Sequence, residues 1–340
     1  MKNTTPIIPV SEPECQVKSW KNLLKNAITT TDALLAAVDL QANQLGYEIT
    51  EDSGFSLRVP QPYIDKIKSG DPLDPLLLQV LTQKQELEEV TGYNRDPLQE
   101  NNNQTPGLLH KYQGRVLLIL ASACAVNCRY CFRRHFPYQD QMASGDQLSQ
   151  SLQYIAADTS ISEVILSGGD PLMVSDRALV SLFDRLDAIP HLKRVRIHSR
   201  LPVVIPQRLT PTFVDRLSSS RLTTSMVLHI NHANEIDKLL IEHLAPLRLA
   251  GIQLLNQSVL LKQVNDNLPT LKALSESLFD AGILPYYLHL LDKVAGAAHF
   301  DVSTQQAVAL IQSLREQLPG YLIPRLAVEE AGKPSKTVIA

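Results

Sequence analysis

From Arg115 onward, short apolar runs alternate with amphipathic segments, and this alternation restricts the chain to few folds. Six runs read as buried strands: Arg115–Ser122, Glu163–Ser167, Arg194–His198, Ser225–Ile230, Ile252–Val259 and Leu284–Leu291. Between them lie segments with helical spacing, such as Asp176–Ile189, Glu235–Leu249 and Leu268–Ala281, and Thr304–Leu318 follows the last. Strands alternating with helices form a parallel sheet with crossover helices. Six such units with no dinucleotide glycine fingerprint predict an α/β fold, a partial (β/α)6 TIM-like barrel. In barrels of this kind functional residues gather at the carboxyl ends of the strands.

Before the barrel, Trp20 to Leu45 and Tyr63 to Val90 carry apolar residues at helical spacing, the second broken by Asp71-Pro-Leu-Asp-Pro75. Gln99-Glu-Asn-Asn-Asn-Gln-Thr-Pro106 reads as a polar linker. The expected division is a mainly helical region over 1–105, the barrel over 106–320 and a carboxyl-terminal segment over 321–340. Hydrophobic residues at 44% and charged residues at 20% suit a large core. The net charge of −3 gives no footprint for nucleic acid. The longest apolar run, Val116 to Val126, is too short for a bilayer, which needs roughly 20 residues. There is no secretory leader, so a cytoplasmic, reduced protein is expected.

The chemistry concentrates at strand ends. After the first strand comes Cys124-Ala-Val-Asn-Cys128-Arg-Tyr-Cys131. Three thiolates at this spacing can hold a [4Fe–4S] cluster while leaving one iron open to a small molecule. A zinc site closed by His135 is the competing reading. Cys15 reads as an ordinary free thiol. The second strand ends in Gly168-Gly-Asp170, where glycines permit close backbone approach and Asp170 can accept from an ammonium or hydroxyl. Further polar groups follow at His198-Ser-Arg200, His229-Ile-Asn-His232, Asn256-Gln-Ser258 and Asp292.

The cysteine loop followed by Leu-Ser-Gly-Gly-Asp-Pro resembles the radical S-adenosylmethionine (SAM) superfamily. Tyr130-Cys-Phe-Arg-Arg-His-Phe136, Ile197-His-Ser-Arg-Leu-Pro-Val-Val204, Asn231-His-Ala-Asn-Glu235, Leu255-Asn-Gln-Ser-Val-Leu-Leu261 and Pro285-Tyr-Tyr287 narrow the resemblance to the lysine 2,3-aminomutase family. The resemblance spans about Asp96 to the carboxyl terminus. It implies an isomerase that uses a [4Fe–4S] cluster, SAM and pyridoxal 5′-phosphate (PLP) to move the amino group of L-lysine from Cα to Cβ.

Carried over residue by residue, the resemblance assigns Cys124, Cys128 and Cys131 to the cluster. Gly168, Gly169, Asp170 and Gln257 fall to SAM, and Arg133 to the substrate carboxylate, a task suited to a guanidinium fork. Lys336, in preference to Lys333, is the PLP lysine, against the bland alternative of a solvated basic tail. Lys111 and Arg115 are PLP phosphate contacts, and Asp292 meets the substrate ε-ammonium. The family's second acidic residue, just before a glycine run, has no evident counterpart, and Arg325 lies close to where it should be. That departure, with the absence of the family's longer carboxyl-terminal extension, counts against efficient turnover of free lysine.

The short form resembles the EpmB subgroup, which supplies (R)-β-lysine for modification of translation elongation factor P. This implies a functional link to that factor and its lysyl-transferring ligase, and an electron donor such as flavodoxin or ferredoxin. A homo-oligomer is compatible with it, and neither nucleic acid nor membrane is an expected partner. The competing functions are a mutase for another amino acid such as glutamate, and a non-enzymatic metal-binding module.

Overall fold

The structure is a computed structural model and describes residues 19–100, 107–138 and 145–340. Cys15 and most of the polar linker lie outside the described residues. One sheet of nine strands runs in sequence order: β1 (Leu108–Tyr112), β2 (Arg115–Ala121), β3 (Glu163–Gly168), β4 (Arg194–Ser199), β5 (Thr223–His229), β6 (Gln253–Val259), β7 (Leu284–His289), β8 (Arg325–Val328) and β9 (Thr337–Val338). Strands β2 to β8 are parallel. The edge strands β1 and β9 pair antiparallel with β2 and β8. The barrel is therefore partial and does not close.

All six expected strands are present as β2 to β7. The central residues of β3 are covered on both faces, as crossover helices require: Val164, Ile165 and Leu166 are all buried. The expected helices appear as Asp176–Asp187, Lys238–Leu249, Leu268–Asp280 and Thr304–Gln317. Each starts at a side-chain cap, from Ser175, Asp237, Asn267 and Ser303 respectively. The helix expected from Glu235 begins later because Asp237 caps it, while the Glu235 carboxylate accepts from the Asn231 and His232 N–H groups. Helices Asp146–Ala157 and Pro211–Ser218 complete the crossovers.

The amino-terminal region is less regular than its periodicity suggests. Its α-helices are short: Trp20–Lys25, Thr31–Ala37, Gln61–Ile64 and Pro75–Leu78. Caps at Ser19, Thr30 and Asp74 and left-handed glycines at Gly46, Gly54 and Gly70 divide it into turns. Its apolar residues still share a core with the barrel, where Leu34, Val59, Tyr63 and Leu77 join Val203, Val204 and Ile205. Lys66 fastens the two parts, its Nζ donating to the carbonyls of Val203 (3.0 Å) and Glu235 (2.9 Å). Among the described residues no helix is long and apolar enough to cross a membrane.

Candidate active site

The carboxyl ends of β2 to β7 open into one cavity of about 440 Å³. Cys124, Cys128, Cys131, Arg133, Gly168, Gly169, Asp170, Gln257, Asp292, Lys336, Lys111 and Arg115 all line it. The expected site residues are thus brought together, and Lys336 rather than Lys333 reaches the cavity.

At one end, the cysteine loop is tied to the glycine pair by backbone hydrogen bonds. Gly169 N–H donates to Ala121 O (2.7 Å) and Asp170 N–H to Ala123 O (3.0 Å). A Cβ on Gly168 would lie 2.7 Å from Ala121 O, and one on Gly169 would lie 2.5 Å from Ala123 O. Gly168 also has φ +129°. The close approach that these glycines permit is therefore first to the cysteine loop's own backbone.

Asp170 also faces the protein. Its buried carboxylate accepts from Ser199 Oγ (2.8 Å) and from the N–H groups of Arg200 (2.8 Å), Leu201 (2.8 Å) and Leu172 (3.0 Å). Burial raises its pKa against these hydrogen bonds. The carboxylate locks the ends of β3 and β4 together and presents the backbone beside it to the cavity.

The same burial acts on the thiols. It pushes Cys124 well up and Cys131 up to about 11, so thiolates form here only beside a strong positive charge such as iron. The three cysteines share one cavity wall. Among the described residues, no three His, Cys, Asp or Glu side chains converge to hold one metal ion. Three thiolates on one cavity wall can hold a cluster that offers an iron to each. His135, the zinc alternative's fourth ligand, is held elsewhere, with Nε2 3.1 Å from Ala295 O.

Away from the cysteines, cations face internal carboxylates, and Arg133 bridges the two parts, its Nη1 donating to Gly168 O (3.3 Å). Arg133 is buried and bidentate on Glu100, through Nε (2.7 Å) and Nη2 (3.1 Å). Burial alone would lower its pKa, but the Glu100 carboxylate outweighs this and holds it up. Lys111 Nζ reaches both Glu100 (2.7 Å) and Glu329 (3.3 Å). Lys336 Nζ donates to Glu329 (2.7 Å) and lies over the Tyr287 ring. The Arg115 guanidinium lies 4.6 Å from the Tyr112 ring centre.

Glu329 corrects one sequence expectation: a second acidic residue is present. Arg325 is exposed at the start of β8, while Glu329 follows the strand and lines the cavity with Asp292. Burial would raise the Glu329 pKa, yet Lys336 and Lys111 bring it down to about 2. Burial pushes Asp292 up to about 7; Lys336 lowers it, and Glu329 and Glu100 raise it. The acidic pair Glu329-Glu330 ahead of Gly332 was the available sequence signal. Glu100 was hidden in a stretch that composition marked only as a linker.

Comparison with known proteins agrees with this geometry. Residues 112–197, which contain the cysteine loop, match the family described as 4Fe-4S single cluster domain. The L-lysine 2,3-aminomutase of Haemophilus influenzae is 50% identical over 98% of this chain and 99% of its own length. That of Escherichia coli is 49% identical over 94% of both chains. The L-lysine 2,3-aminomutase of Clostridium subterminale is 34% identical over 94% of this chain and 77% of its own. A solved radical SAM methyltransferase from Sphaerobacter thermophilus, 15% identical, covers 65% of this chain and 68% of its own at a TM-score of 0.43, too distant to bear on function. The chain therefore belongs to the lysine 2,3-aminomutase family, isomerases that work with a [4Fe–4S] cluster, SAM and PLP.

Proposed function

We propose that the chain converts L-lysine to (R)-β-lysine, and that this β-lysine supplies the modification of translation elongation factor P. One arrangement carries the reading: Arg133, Asp292, Glu329 and Lys336 line the same cavity as the three cysteines. Free lysine bears a carboxylate at one end and an ammonium at the other, and the cavity offers a guanidinium for the first and two carboxylates for the second. A glutamate substrate would place its side-chain carboxylate against Asp292 and Glu329. A bare metal-binding module would not require these opposed charges around a cavity.

Cys124, Cys128 and Cys131 hold the cluster in this reading. The glycine pair and Gln257 line the space for SAM, while Lys336 carries PLP with Lys111 and Arg115 near its phosphate. When bound, the cluster and SAM supply hydrogen abstraction at Cβ, and PLP supplies the π-system that supports migration of the amino group. The protein's share is orientation and exclusion of water. Arg133 fixes the carboxylate end, and Asp292 with Glu329 the ammonium end, so that Cβ faces the cysteine wall. Before substrate binds, Glu100 pairs with the buried Arg133 fork and Glu329 with the partly exposed Lys336 ammonium, which keeps both cations neutralised.

The test is an anaerobic assay of reconstituted protein with SAM, PLP, a reductant and L-lysine, resolving α- from β-lysine by chiral chromatography. The (R)-β-isomer should accumulate and should be absent with Cys128→Ala. SAM cleavage without β-lysine would overturn the substrate, and no cleavage from protein with a verified cluster would overturn the mechanism. The biological destination is checked by the mass of elongation factor P from cells lacking this chain, which should lose one β-lysyl group.

A further inference from the structure

Arg200, at the end of β4, is buried and makes a contact that no step above uses. Its Nη1 donates to Cys128 Sγ at 2.7 Å. The same nitrogen reaches Tyr130 OH (2.5 Å), while Nη2 reaches Gln79 Oε1 (2.8 Å), Glu235 Oε2 (2.9 Å) and Tyr63 OH (3.3 Å). Its backbone N–H is held by Asp170, and the guanidinium carbon lies 5.5 Å and 5.7 Å from the Tyr63 and Tyr130 ring centres. Tyr130 is fixed in turn by Asn231 Nδ2 (2.7 Å) and lies 3.0 Å from His229 Nε2. The guanidinium is thus pinned from the amino-terminal region, the β5 end and the cysteine loop through its two Nη groups, while Nε is buried without a partner, and Cys128 is the one sulfur it meets.

We propose that Arg200 is a positioning residue that sets the reduction potential of the cluster through its hydrogen bond to the Cys128 sulfur. The inference rests on Cys128 being a cluster ligand. One-electron reduction adds negative charge to the cluster and its sulfurs. A fixed cationic donor at one sulfur stabilises the reduced form more than the oxidised one, and so raises the potential. Glu235 lies on the other side of the guanidinium and limits the effect without removing the N–H···S contact. Gln79 and Tyr63 give the amino-terminal region a role in the chemistry: they hold the donor in place from outside the barrel.

The test is a redox titration of the reconstituted, SAM-free enzyme, following the reduced cluster by electron paramagnetic resonance, with iron and sulfide counted for each protein. Arg200→Gln, fully loaded, should titrate at a more negative potential than wild type. Arg200→Lys should fall between, because one ammonium is drawn to Glu235 and serves the sulfur less well. A loaded Arg200→Gln at the wild-type potential, or above it, overturns the proposal. If Arg200→Gln yields no loaded protein, Arg200→Lys decides: a negative shift supports the proposal and an unchanged potential overturns it. Failure of the cluster reading is separate, because wild-type protein would then not incorporate iron and sulfide at all.

Discussion

The two ends of the cavity are built on different terms. Around the cysteines, Asp170 and Arg200 are committed to other parts of the protein: Asp170 to three backbone N–H groups and Ser199, Arg200 to four side chains besides the thiol. These partners lie at or just after the ends of core strands and in the amino-terminal region, so this end is set by folding. Around Lys336, the groups come from edge strands and adjoining loops: Lys111 from β1, Glu100 from the loop before it, and Glu329 and Lys336 from the connection between β8 and β9. Their mutual ion pairs must be exchanged for contacts to ligands. Mutations at the first end should therefore act on stability and cluster loading, and those at the second on binding and turnover.

The largest contrast is expected at Lys336. Lys336→Ala should abolish both the absorbance of protein-bound PLP and β-lysine formation, while changing the melting temperature of the ligand-free chain little, because the lost pair with Glu329 is partly solvent-exposed. Lys333→Ala should leave both signals intact. If Lys333→Ala alone removes the PLP absorbance, the ligand end is misassigned. Asp170→Asn should do the reverse. An amide cannot accept from all four partners, and its NH2 would face backbone donors, so a loss of about 2–3 kcal/mol is expected. That corresponds to a fall in Tm of roughly 5 °C, measured without ligands. An unchanged Tm would dissolve the distinction between the ends.

The same division governs what the sequence disclosed. Strands β2 to β7 were legible because each carries a short apolar run or an alternation between helical segments, such as Val164-Ile-Leu166 of β3. The last two strands were not: Arg325–Val328 has four residues and Thr337–Val338 two, too few for a period to register. The amino-terminal periodicity overstated helix length because the caps at Thr30 and Asp74 cut it, and the apolar spacing was met by turns packed on the barrel. The family resemblance named Cys124, Arg133, Asp292 and Lys336, all of which line the cavity. Glu329 was missed although Glu329-Glu330 stands ahead of Gly332, because its place depends on where the unread strand β8 ends. The Arg200 contact to Cys128 joins residues 72 positions apart, and no local pattern encodes it.

The smallest expected effect, and the most discriminating, is at Asp292. Its carboxyl titrates near 7 in the ligand-free protein because burial opposes ionisation. Two consequences of opposite sign follow. The folded pKa lies above the ordinary carboxyl value of 3.8, so its contribution to stability is full below that value and is lost as pH rises through about 7. Asp292→Asn should therefore raise Tm at pH 8 and change it little at pH 4. Lysine binding needs the ionised form, so the wild-type KM should rise as pH falls below about 7. In Asp292→Asn that pH dependence should vanish, and KM at pH 8 should be about tenfold higher, the loss of one charge-assisted contact. His229 and His289 do not account for such a limb, since burial takes the first down to about 3 and the second well below its usual range. A variant that loses stability at pH 8, or keeps the limb, would place Asp292 with the structural groups of the cysteine end and move the ammonium contact to Glu329 alone.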